Sequence, residues 1–159
     1  MRFLEKDLED IIWESDRDIL NERGLCIRGH IKRQLRIGNY GIADLVTFSR
    51  EYYGRNQSSM EINIYEIKRG VVGTSAFLQS VRYARGIRSY LNQRGFKDFN
   101  IGITLIGDSV ESDGEFTYIE DFLRNYSVDF YVYTYEYKID GIKFKREGGY
   151  RLSNEGFNI

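Results

Sequence analysis

Leu4, Leu8, Ile11, Ile12, Ser15 and Ile19 recur at helical spacing, which predicts one amphipathic helix over about residues 3–22. Gly24 falls just past its expected end. From Leu25 to Ile37 the pattern is mixed, and Ile27, Ile31, Leu35 and Ile37 suggest a bent or interrupted strand. The segments 40–50 and 60–68, rich in Ile, Val, Tyr and Phe, read as strands. The polar run Gly54-Arg55-Asn56-Gln57-Ser58-Ser59 between them predicts a hairpin. Phe77, Val81, Ala84, Ile87 and Leu91 form the apolar stripe of a second helix that ends near Gly95. Asn100 to Ile106 is apolar enough for a central strand. Ser112-Asp113-Gly114-Glu115 has capping-box spacing and opens a helix carrying Phe116, Ile119, Phe122 and Leu123. Val128 to Ile139 is a strand, Asp140-Gly141 a tight turn and Ile142 to Arg146 the return strand. The order is helix, three strands, helix, strand, helix, hairpin, which predicts an α/β fold with a mixed sheet flanked by helices.

Composition narrows the chemistry. The 159 residues suit one domain over 1–159, with no proline, repeat or low-complexity linker to divide it. The net charge is -1, so any nucleic-acid surface has to be a local basic one. Cys26 is the only cysteine and His30 the only histidine. An intramolecular disulfide and a monomeric Cys/His zinc site are therefore excluded, which fits a reducing cytoplasm. No nucleophile motif accompanies His30. No apolar run is long enough to span a membrane, and Met1-Arg2-Phe3-Leu4-Glu5 lacks a signal peptide's apolar region, so a cytoplasmic location without membrane contact is expected.

Two strings depart from ordinary strand composition: Gly41-Ile42-Ala43-Asp44-Leu45-Val46-Thr47-Phe48 and Ile62-Asn63-Ile64-Tyr65-Glu66-Ile67-Lys68. Each places a carboxylate among apolar residues, Asp44 in the first and Glu66 in the second, where a charge is costly unless paired or bound to a metal. Strand alternation points Glu66 and Lys68 the same way, and if the strands are neighbours Asp44 joins them. Two carboxylates and an ammonium in one cleft suit metal-assisted attack of water on a phosphodiester. The alternative is a structural ion pair between neighbouring strands.

Other residues gain interest only beside these. Gln79 and Tyr83 share a helix face off the Phe77–Val81–Ala84 stripe. Arg82, Arg85 and Arg88 on the same helix, and Arg69 after the second string, suit phosphate contacts, or else form a solvated face. Glu5 and Glu9 flank the stripe of the first helix, where a carboxylate can reach a neighbouring cleft. Tyr131, Tyr133, Tyr135 and Tyr137 line one strand face, which can mean base stacking, sheet packing or a dimer face. Gly70-Val71-Val72-Gly73-Thr74 lacks a phosphate-loop pattern and reads as a loop.

From Glu5 to about Leu91 these residues, in this order, resemble the PD-(D/E)XK nuclease superfamily. Glu5-Lys6-Asp7-Leu8-Glu9 is similar to its first-helix acidic motif, Gly41 to Val46 to its aspartate strand, and Tyr65-Glu66-Ile67-Lys68-Arg69 to its E-x-K strand. Gln79-Ser80-Val81-Arg82-Tyr83 resembles the Q-x-x-x-Y helix of RecB-type and NucS-type members. Ala43 stands where the name-giving pattern has proline. The resemblance implies a restriction-endonuclease-like core and a metal-dependent nuclease acting on DNA in repair, restriction, recombination or mobile-element biology. It implies Mg2+ or Mn2+ held by Asp44, Glu66 and the backbone carbonyl of Ile67, with Glu9 holding a second metal or a water. Lys68 would orient the attacking water or stabilise the transition state, and Gln79 and Tyr83 would place the scissile strand or brace the site. Two other readings stay open: a catalytically silent nucleic-acid-binding or assembly module, and an interaction protein working through its tyrosine-rich hairpin. No recognition domain is legible, so specificity would come from loops, a homodimer or a partner protein.

Overall fold

A computed structural model describes residues 5–111, 114–125 and 129–147. Leu4, the Ser112-Asp113 half of the expected capping box, Val128 and the Phe122 side chain lie outside the described part.

The first amphipathic segment forms two helices, α1 (Glu5–Glu14) and α2 (Arg17–Glu22). The break falls at Ser15-Asp16, where Asp16 is extended and starts the second helix. The interruption resets the helical phase, so Leu8, Ile12 and Leu20 are buried while Ile19, expected on the stripe, is exposed. Then follow β1 (His30–Arg36), a 3-10 turn (Gly38–Tyr40), β2 (Ile42–Tyr52) and β3 (Ser58–Ile67). The short β4 (Val71–Val72) precedes the long helix α3 (Thr74–Gln93), which leads to β5 (Phe99–Gly107), β6 (Ser109–Val110) and α4 (Gly114–Asn125). The hairpin of β7 (Phe130–Lys138) and β8 (Gly141–Glu147) completes the order. The pairing of β4 with β6, a separate two-stranded parallel ladder, has no counterpart in the sequence reading.

The main sheet has six strands in the order β1-β2-β3-β5-β7-β8. Pairing is antiparallel at both ends and parallel through β3, β5 and β7. The mixed α/β sheet flanked by helices is therefore as expected. On one face, Leu8, Ile12 and Leu20 pack on Leu45, Tyr65, Ile67 and Ile106. On the other, α3 packs on Val46, Ile62 and Ile64, and Phe116 of α4 joins Leu105 and Val132. Among the described residues no helix is long and apolar enough to cross a membrane.

The buried face of α3 differs from the expected stripe. Ala84, Ile87 and Leu91 are buried, but Val81 is exposed, and Ala76, Ser80, Tyr83 and Gly86 complete the contact face. Small residues set this choice. A Cβ on Gly86 would lie 2.6 Å from Ile37 and 2.7 Å from the Tyr40 ring, so the helix approaches the preceding turn closely because position 86 is bare.

Candidate active site

The site lies where β2 begins and β3 ends. Leu45 pairs with Tyr65, and continuing that antiparallel register by one residue sets Asp44 across from Glu66. The Ile67 N–H donates to Asp44 Oδ2 at 2.9 Å, which fixes the aspartate against the end of β3. Glu66 is 2% exposed. Its Oε1 lies 3.0 Å from Lys68 Nζ, while its Oε2 is buried with no hydrogen-bond partner. Lys68 Nζ also donates to Gln79 Oε1 at 3.3 Å, and Gln79 Nε2 donates to the Tyr83 hydroxyl at 2.7 Å. A continuous polar chain thus runs from β3 to α3 through Glu66, Lys68, Gln79 and Tyr83. The Tyr83 ring packs beside Gly41, where φ is 124° and a Cβ would lie 2.8 Å from the ring. Glycine at this position lets the chain turn into the Asp44 strand beneath the tyrosine.

The electrostatics follow from burial and crowding. Burial, and then the field of Asp44, push Glu66 up to about 7 despite Lys68 beside it. Asp44 is also raised, by burial first and by Glu9 and Glu5, against the lowering effect of the Ile67 N–H. Burial alone would lower Lys68, but contact with Glu66 and the fields of Glu66, Glu5 and Asp44 outweigh it and hold the ammonium charged. Two crowded carboxylates, one with an unpartnered oxygen, are what a small cation would relieve. Among the described residues no group of three or more His, Cys, Asp or Glu is placed to hold a metal. Asp44 and Glu66 would offer a cation two carboxylates, with water left to fill its remaining positions, a donor set that suits a hard ion.

A cleft of about 830 Å³ opens beside Asp44 and Ile67, lined also by Glu5, Lys6, Glu9, Arg33, Gln34 and Arg69. Glu9 reaches this cleft, but both its oxygens are engaged: Arg33 Nε donates to Oε1 and Gln34 Nε2 donates to Oε2 at 2.8 Å. Arg33 also bonds Asp10. In this structure Glu9 anchors α1 to β1, and Arg33 supplies the opposite charge that the sequence reading did not pair with it. Glu5 Oε1 accepts the Arg69 N–H at 3.2 Å, and its field acts on Asp44, Glu66 and Lys68 alike. The Arg69 carbonyl accepts the Tyr135 hydroxyl at 2.8 Å, so the tyrosine strand is packed onto the segment that follows Lys68.

Gln34 is the residue that sequence reasoning missed. Its φ of 49° makes it the one non-glycine residue with positive φ among the described residues. It stands opposite Asp44, where the otherwise continuous β1–β2 register lacks a pair. Ile31 packs on the α1 side of the sheet and Leu35 on the α3 side, although regular alternation would give them one face. Ala43 and Leu45 split in the same way around Asp44. Both strands change pleat at this point, and the change aims Asp44 into the cleft. Asparagine or glycine there would have signalled a left-handed residue; glutamine carries no such signal.

The arginines of α3 separate. Arg85 and Arg88 line another groove, against Phe77, Leu123 and Phe130, which shares no residue with the Asp44 cleft. Arg82 is exposed on the helix surface. Arg69 alone of the four expected phosphate contacts lines the cleft. No protein-family model, no curated protein and no solved structure matches the chain.

Proposed function

We propose that this protein is a divalent-metal-dependent nuclease, acting first of all on DNA, with a restriction-endonuclease-like core. The observation that carries the proposal is the linked chain Glu66–Lys68–Gln79–Tyr83 beside Asp44, with the buried Glu66 Oε2 left without a partner. A structural ion pair alone leaves unexplained why a second carboxylate is brought against Glu66 or why a helix contributes a glutamine to the lysine.

Asp44 and Glu66 are the residues that would hold Mg2+ or Mn2+, with the Ile67 carbonyl as a further oxygen. Bound there, the ion supplies positive charge to a phosphoryl oxygen and acidifies water. Lys68, kept charged by its acidic surroundings, donates to water or to the phosphate oxygens as negative charge develops. Gln79, itself held by Tyr83, fixes where the ammonium sits. Arg69 and Lys6 at the rim of the cleft meet neighbouring phosphates. Glu9, engaged by Arg33 and Gln34, contributes its field to Asp44.

A catalytically silent nucleic-acid-binding module is the second reading, and that engagement of Glu9 favours it, since two carboxylates remain. Calorimetry separates the two. The nuclease reading expects Mg2+ or Mn2+ binding that is lost in Asp44→Asn; a silent module expects no metal-dependent heat in either protein.

A further inference from the structure

We propose that the β2–β3 turn and the loop between α3 and β5 form a second contact surface, one that takes single-stranded nucleic acid by stacking and phosphate contact. Phe48 packs on the α3 side of the sheet, and alternation puts Arg50 and Tyr52 on that same face, farther along β2. Arg50 pairs across the hairpin with Met60, whose N–H is held by the Asp98 carbonyl at 3.0 Å. The turn carrying Tyr53 and Arg55 is thereby set beside Lys97, the residue that follows Phe96. Tyr53 and Lys97 line one shallow hollow.

Tyr52 is 74% exposed, Tyr53 51% and Phe96 42%. One exposed aromatic needs no explanation, but three grouped with cations do. Arg50, Arg55, Arg94 and Lys97 are exposed here and form no ion pair among the described residues. The nearby acids are Glu51, Glu61 and Asp98, and Glu51 and Glu61 line a hollow on the opposite sheet face with Arg28. In a chain of net charge -1 this is a local basic surface. Exposed rings interleaved with cations are the composition that binds single strands without reading sequence.

From Asp44 to Tyr52 the strand runs about 26 Å at 3.3 Å per residue. A nucleic-acid strand would need about eight nucleotides, at 3.4 Å each, to touch both places. Only this span rests on the nuclease reading; the binding itself does not.

The test is anisotropy with a labelled oligothymidylate of about 20 nucleotides in EDTA, longer than the usual single-domain footprint. The proteins are the full chain, Tyr52→Ala/Tyr53→Ala and Arg50→Ala/Arg55→Ala, with the single variants and melting curves as folding controls. The aromatic pair should bind at least about fivefold more weakly with its salt slope unchanged. The arginine pair should bind more weakly and lose about 1.4 from the salt slope, roughly 0.7 per lost contact. Wild-type affinity in both folded double variants, or no binding by the wild type, overturns the proposal. So does loss of self-association in sedimentation with oligonucleotide binding intact, which would make this a protein contact. Binding as expected without cleavage in Mg2+ would count against the nuclease reading alone.

Discussion

Gln34 shows how one residue sets the geometry of a candidate site. A left-handed conformation costs a residue with a Cβ about 1–2 kcal/mol, and a β-branched residue tolerates it least. Gln34→Gly should therefore match or exceed wild-type stability by up to about 1 kcal/mol in urea denaturation, even though it loses the contact with Glu9. Gln34→Val should be less stable than Gln34→Gly by about 2 kcal/mol or more and should bind Mg2+ more weakly, because a regular pleat would turn Asp44 away. Equal stability of the two variants would show that the strain is absent. Glu66 supports a second expectation. In the unfolded chain its carboxyl ionises near 4.5, and in the folded, metal-free protein at about 7. Between those values the native state keeps a proton that the unfolded state has released, so stability falls as pH rises through this window and then levels off. Glu66→Gln removes that loss and should be more stable than the metal-free wild type at pH 8 by on the order of 2 kcal/mol, with a flatter pH profile. Thermal unfolding in EDTA from pH 5 to 8 measures it; an identical slope in the two proteins would contradict the burial account.

At the scale of elements, α3 carries the largest difference between sequence and structure. Its Gln79–Tyr83 face was legible from spacing of four; the bond from Lys68 to Gln79 that ties this face to β3 was not. Its buried face was read in part: Ala84, Ile87 and Leu91 are buried as expected, but Val81 is exposed, because an apolar stripe ignores the small residues that also make contact. Ser80 and Gly86 are buried, and Tyr83 is both a core residue and a site residue. Gly86→Leu should destabilise by about 1–3 kcal/mol, since its side chain would enter the space of Ile37 and Tyr40. The strands were easier to read. The β2–β3 hairpin, the central β5 and the β7–β8 hairpin follow directly from β-branched and aromatic runs bounded by turn residues. The ladder of β4 with β6 was not legible, because two-residue strands have no periodicity. The arginines separate for a related reason: residues three apart precess around a helix, so Arg85 and Arg88 line a different groove from the Asp44 cleft. Arg69→Ala and Lys6→Ala should accordingly weaken DNA binding and make its salt dependence shallower by about one unit each, while Arg88→Ala leaves both unchanged. Anisotropy across a salt series distinguishes the two sets.

At the scale of the molecule, the sheet brings residues far apart in sequence to one end, and the helices on its two faces close over that end from opposite sides. α1 contributes Glu5 and Glu9 from one layer, α3 contributes Gln79 and Tyr83 from the other, and Asp44, Glu66 and Lys68 lie between them. The charge at that centre is balanced against burial, and the proposed metal would be catalytic rather than structural: each face of the sheet has its own apolar core without it. The measurement that tests this most directly is single-turnover cleavage of labelled DNA by wild type and Asp44→Ala, with Mg2+ or Mn2+ and with EDTA, beside circular dichroism of each sample. The expected result is cleavage by the wild type only with metal, its loss on chelation without unfolding, and a folded, inactive Asp44→Ala. Cleavage by a folded Asp44→Ala, or by the wild type in EDTA, would contradict it.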